Sequence, residues 1–140
     1  MKKLLLIIFL VSLGNVSHAR QSIATIPTVP IEFGANKRIG PEANHTQVKG
    51  AGVVSRILSD DNDGSRHQRF ILSLQSGQTL LIAHNIDIAP RVDHLKVGDT
   101  VEFYGEYKWN SKGGVVHWTH KDPSGKHVAG WLKHDGRVFQ

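Results

Sequence analysis

The chain has 140 residues and no cysteine. That excludes a disulfide framework, a cysteine nucleophile and lipid attachment through a cysteine after the leader. It also lacks a Gly-x-Ser-x-Gly nucleophile turn and a phosphate-cradling glycine loop, so covalent serine catalysis and nucleotide binding of the P-loop kind have no footing. Internal repeats and low-complexity tracts are missing. The longest apolar run, Leu4 to Leu13, has about ten residues and is too short to span a bilayer. What folds must therefore be held by packing.

That apolar run sits behind Lys2 and Lys3 and ahead of Ser17-His18-Ala19, with small residues at −3 and −1 of a cut after Ala19. This is the layout of a secretory signal peptide over residues 1–19. It predicts a periplasmic or secreted protein with no integral membrane segment after cleavage. Taking Lys2 and Lys3 from the 17 lysines and arginines leaves 15 against 12 acids, a net of +3. Such a balance permits a polyanionic partner without demanding one.

Residues 20–47 carry Pro27, Pro30 and Pro41 with little apolar periodicity and read as an extended or flexible lead-in. From residue 48 to 140 the pattern is short β-strands. Gly52–Leu58 is rich in β-branched residues, and Asp60 to Gly64 breaks it. Arg69–Leu74 alternates, Ser76-Gly77 turns the chain, and Thr79–Ala83 returns. The connector His84–Gly98 reads as a loop with room for a short helix. Thr100–Trp109 puts Val101, Phe103, Gly105 and Tyr107 on one face, and Val115–His120 is the last strand. Five strands in this order, with the connector between the third and fourth, predict an all-β, OB-like barrel.

The C-terminal segment is the densest in chemistry. Trp109 to His134 holds His117, His120, His127 and His134 together with all three tryptophans. The sequence resembles a bacterial family of unknown function, number 3465, through Ser65–Phe70, Ile82–Asp87 with Ala89-Pro90-Arg91, Gly105-Glu106-Tyr107, Gly113–Pro123 and Gly130-Trp131. The resemblance runs from about Gly50 to the C-terminus. It implies export and a small β fold, and carries no activity with it.

Three functional readings follow from the residues. The first is a binding module for a polyanion or single-stranded nucleic acid. The loop between the first two strands supplies Arg66, His67 and Arg69, and the turn between the last two supplies Trp109 and Lys112. Guanidinium groups suit phosphate, and an exposed indole suits a stacked base. In an OB barrel these loops flank one groove. The competing reading pairs Arg66 and Arg69 with Asp60, Asp61 or Asp63. The second is a small hydrolase, a phosphodiesterase or nuclease, using His120, Asp122, His127 and Arg66. A divalent metal such as zinc would be held by His120, Asp122, His127 and His84. On an alternating strand His117 and His120 point to opposite faces, so a joint site needs a bulge between them. The third is a protein-binding or inhibitory module using the tryptophan-rich face. The acids around Asp60 fail as a calcium loop, because Phe70 stands where the bidentate Glu belongs.

Overall fold

The computed structural model describes residues 31–32 and 37–140. The leader 1–19 and most of the lead-in lie outside the described residues. Eight strands form one sheet: β1 Ile31–Glu32, β2 Thr46–Ile57, β3 His67–Ser73, β4 Thr79–Asn85, β5 Thr100–Lys108, β6 Val115–His117, β7 Trp131–His134 and β8 Arg137–Phe139. Among the described residues no helix is long and apolar enough to cross a membrane.

Five of these strands close a barrel. β2 pairs with β3, β3 with β4 and β5 with β6, all antiparallel, while β4 pairs with β6 in parallel and β5 returns to β2. This ring is the predicted all-β, OB-like barrel. Period-two patterning drives it. β3 and β5 alternate strictly between buried and half-buried positions, so each strand turns one face to the core. Phe70, Leu72, Leu80, Ile82, Val101, Phe103, Tyr107, Val116 and Leu132 fill that core. Truncating Phe103 to Ala would cost on the order of 3–5 kcal/mol. The Tyr107 hydroxyl is buried with its ring and donates toward the carbonyls of Ile39 (3.2 Å) and Gly113 (3.0 Å).

The connector 86–99 takes the looped form, with turns and no helix. Other features depart from the sequence reading. The last ring strand stops at His117 rather than His120, because Trp118 takes a left-handed φ of 51° and breaks the alternation. The C-terminal tail adds β7 and β8, beyond the five strands expected. Within the lead-in, residues 41–43 make a 3-10 turn, and β2 begins at Thr46.

Candidate functional site

β5 changes partner at its middle, and the site is built there. Residues 106–108 pair with β6, whereas residues 101–104 pair with β7. Between β6 and β7 the chain makes an excursion from Trp118 to Gly130. Two glycines allow it to press on the sheet. A Cβ on Gly105 would meet the carbonyl of His117, and one on Gly130 would meet the carbonyls of Trp118 and Tyr104. Gly105 thus marks a close backbone crossing within the strand.

Asp122 shapes the excursion. Its carboxylate accepts from the Ser124 amide (2.9 Å) and hydroxyl (2.7 Å), and from the amides of Lys126 (2.8 Å) and His127 (2.9 Å). These bonds hold its pKa far below the usual carboxylate range. They also bring His127 back over the sheet, where its ring stacks on Trp118 at 4.0 Å and 10°.

Glu106 is the centre of this face. His127 Nε2 lies 2.7 Å from Oε2, His45 Nδ1 3.1 Å from Oε1, and His117 Nε2 3.6 Å from Oε1. His117 stands opposite Glu106 in register. Burial opposes ionisation of Glu106, but the bonds from His127 and His45 and the nearby His117 outweigh it, so its pKa is lowered. His127 Nδ1 faces the Val128 carbonyl at 2.9 Å. Both His127 nitrogens therefore face acceptors. His117 differs. Burial lowers its pKa despite the neighbouring Glu106, and its Nε2 is buried without a hydrogen-bond partner. His45 and Trp118, both on this face, are non-glycine residues with left-handed φ, a strain that concentrates at functional sites.

Behind Trp118 lies a second imidazole pair, His84 and His120, with ring centroids 6.2 Å apart. His84 donates from Nε2 to the Pro90 carbonyl (2.9 Å) and accepts at Nδ1 from the buried Thr119 hydroxyl (2.8 Å). Burial is the main cause that lowers its pKa to about 4. His120 Nδ1 donates to the Lys121 carbonyl (2.8 Å). Of the four residues considered as zinc ligands, His84 has both nitrogens occupied and Asp122 is committed to its own turn. His127 faces Glu106. Among the described residues no group of three or more His, Cys, Asp or Glu side chains is arranged to hold a metal ion.

The two loops of the expected groove sit at opposite ends of β4. The Trp109–Gly114 turn adjoins its start, through Thr79 Oγ1 to the Lys112 carbonyl (3.4 Å) and Gln78 to the Gly113 carbonyl (2.6 Å). Arg66 adjoins its end, through the Ile86 amide (2.9 Å). Six residues of strand separate them, roughly 20 Å. Arg66 is paired with Asp87 (2.7 Å), and Arg69 Nε donates to the Ser59 carbonyl (3.1 Å). His67 Nδ1 donates to the Ser65 carbonyl (2.7 Å). The acid that pairs with Arg66 thus comes from the connector, not from Asp60, Asp61 or Asp63.

Trp109 stays 45% exposed, beside a recess that also contains Arg38, Tyr107 and Asn110. Its amide donates to Asn44 Oδ1 (2.8 Å), next to His45. Lys108 precedes it on the exposed side of β5 and lies close enough to His117 to act on its charge. Among the described residues Arg38, Lys108 and Lys112 form no ion pair. Lys108, His45, Glu106, His117, His127 and Trp118 are thus gathered on the outer side of β5, and Trp109 follows at its end. Sequence reading found His127, Trp109 and Lys112 but missed Glu106 and His45. The period-two pattern did put Glu106 on the outer side of β5. The approach of His45 depends on β2 pairing with β5 across about 60 residues of chain, which no local signal reports.

Fold and site define a small closed β-barrel with an imidazole- and indole-rich outer face. The family model described as "Protein of unknown function (DUF3465)" matches residues 21–140, and the chain belongs to that family. The match takes in the lead-in as well as the barrel. No curated protein and no solved structure matches the chain.

Proposed function

We propose that this protein is an exported binding module whose Trp109–Trp118 face takes a polyanion, single-stranded nucleic acid being the best fit. The observation that carries the reading is the half-exposed Trp109 among Arg38, Lys108 and Lys112, cations without ion pairs among the described residues. A stacking surface beside unneutralised positive charge suits a base and its phosphates. Of the acids nearby, Glu106 is already held by imidazoles, and Glu42 lies over Gly40 at the edge of the Trp109 recess. The leader supports a periplasmic or secreted location, and a mature chain beginning at Arg20 in periplasm or medium tests it.

Binding is tested by the fluorescence anisotropy of a labelled oligothymidylate titrated at rising salt. The expected result is affinity that falls steeply with salt, as phosphate-bound cations are released. If single-stranded DNA, RNA and heparin all fail to bind at low salt, the reading is wrong.

A second reading, a metal-independent phosphodiesterase, is favoured by the difference between His117 and His127. Burial lowers the pKa of His117 and leaves its Nε2 without a hydrogen-bond partner, whereas His127 Nε2 lies against the Glu106 carboxylate. An imidazole with an open nitrogen beside a carboxylate is raw material for acid–base catalysis. Bound oligonucleotide returned intact supports the binder; fragments, with a pH profile lost in His117→Ala, support the enzyme.

A further inference from the structure

One buried amide fastens the end of the lead-in to the barrel. Gln78 stands just before β4 and is 2% exposed. Its Oε1 accepts from the Ile39 amide (2.7 Å). Its Nε2 donates to the carbonyls of Ile39 (3.0 Å) and Gly113 (2.6 Å). A side chain thus pairs with residue 39 through both backbone groups, as a neighbouring strand would. The Tyr107 hydroxyl reaches the same two carbonyls. Among the described residues the Ile39 backbone bonds to nothing but Gln78 and Tyr107. The Ile39 side chain is buried in the core beside these bonds, and Ala43 with it.

Gln78 and Tyr107 thereby join the two walls of a recess of about 220 Å³. Residues 38–41 of the lead-in make one wall, and the turn that begins at Trp109 makes the other. The second wall is set by its own bonds. Asn110 Oδ1 accepts from the amides of Lys112 (2.9 Å) and Gly114 (3.1 Å). A Cβ on Gly113 would meet the Thr79 carbonyl, so the turn is seated against β4. The first wall depends on Gln78. Sites for drug-sized ligands run from about 300 to 1,000 Å³, so this smaller recess admits a fragment, such as one planar ring system. Glu42, folded over Gly40, offsets Arg38 on the same wall. The recess therefore suits an uncharged ring better than a phosphate.

Resting on the binding reading above, we infer that this recess takes a single base of the bound strand and that Gln78 is its positioning residue. Both donors of the Gln78 amide are committed to the two walls, so Gln78 acts through them. It sets residues 38–41 against the Trp109 turn, and a base stacked at the half-exposed indole enters between them.

The test compares oligothymidylate with an abasic strand of the same length, on the full native chain and on Gln78→Leu, while hydrogen exchange follows the Ile39 amide. In Gln78→Leu that amide should exchange about tenfold faster or more. Oligothymidylate should bind about fivefold more weakly or worse, the loss of one stacked base. The abasic strand should bind both chains alike, which a general loss of fold would not give. Gln78→Glu covers the case in which leucine unfolds the barrel. A carboxylate there would face two carbonyls without a proton to donate, whereas its protonated form donates again. The new carboxyl is held above its ordinary pKa, so affinity relative to the native chain should be nearly restored at about pH 5 and fall as pH rises toward about 8. If oligothymidylate binds the native chain and both variants alike, or if the abasic strand is weakened as much as the intact one, Gln78 has no such role and the binding reading stands. If neither strand binds the native chain at low salt, the binding reading is wrong and the role of Gln78 falls with it.

Discussion

At the end of β4 near Arg66, arginines are paired with acids; at its start, around Trp109, the polar side chains are hydrogen-bonded but the cations form no ion pair among the described residues. Arg66 is paired with Asp87, and Arg91 with Asp60. Gln68 donates to the Val92 carbonyl (3.1 Å) and accepts from its amide (2.8 Å), and His84 reaches the Pro90 carbonyl. Together these contacts fasten the connector 86–92 to the barrel. At the other end Arg38, Lys108 and Lys112 form no ion pair among the described residues, next to an exposed indole, with Glu42 the acid nearest the recess that Arg38 and Trp109 share. The same residue types therefore do different work. The satisfied end acts as a clamp on an irregular segment, whose buried polar groups must find partners. The other end keeps charge available for something else.

The largest effect should come from His84, at the clamped end. Its folded pKa of about 4 lies below the ordinary 6.5, so the folded state takes up its proton less readily than the unfolded chain. The stability it contributes is fully present above pH 6.5 and is lost as pH falls toward 4. The loss is about 3 kcal/mol over that window. His84→Gln can donate to Pro90 and accept from Thr119 without titrating. Urea melts at stepped pH should show the native chain weakening across the window and the variant nearly level. An equal acid loss in the variant would show that His84 is not the group responsible.

At the open end the triple change Arg38→Ala, Lys108→Ala and Lys112→Ala should lower the slope of log affinity against log salt for oligothymidylate by about 2, since single strands give roughly 0.7 per phosphate contact. Trp109→Ala should cost on the order of 1–3 kcal/mol of binding while leaving that slope nearly unchanged. A triple variant with an unaltered slope would move the binding face elsewhere on the barrel.

The contrast between the ends was only partly legible in the sequence. Alternation in Arg69–Leu74 and in Thr100–Trp109 placed the core faces of β3 and β5, because a half-buried strand must repeat every two residues. Turn chemistry at Asp60–Gly64 and Ser76-Gly77 separated the strands. The left-handed Trp118 could not be read, since alternation through Val115–His120 looks unbroken until the backbone flips. Nor could the partners of Arg66 and Glu106. Asp87 lies 21 residues beyond Arg66, and His45 lies 61 residues before Glu106. Such pairs exist only once the barrel has closed. Arg66, His67 and Arg69 carry the right chemistry for phosphate, and it is the closed barrel that sets a carboxylate beside Arg66.

That pairing yields the smallest expected effect and the most direct check on the comparison. Arg66 Nε and its own amide both reach the Asp87 carboxylate, at 2.7 and 2.8 Å, and these bonds lower the Asp87 pKa, the amide bond first. The amide bond survives removal of the side chain, so the turn at Asp87 should persist in Arg66→Ala. The ion pair itself is solvated, and such pairs contribute little. Arg66 lies roughly 20 Å from Trp109 along β4, and substitutions that far apart act independently. Arg66→Ala should therefore leave oligothymidylate affinity within about twofold of the native value and its salt slope unchanged. A short oligomer should show this most cleanly, because it cannot reach from one end of the strand to the other. Should Arg66→Ala instead flatten the slope as a lysine change at the Trp109 end does, the ligand must run the length of the β3–β4 face and dislodge Asp87 as it binds. The two ends would then be the two banks of one groove, and the division between clamp and binding face would fail.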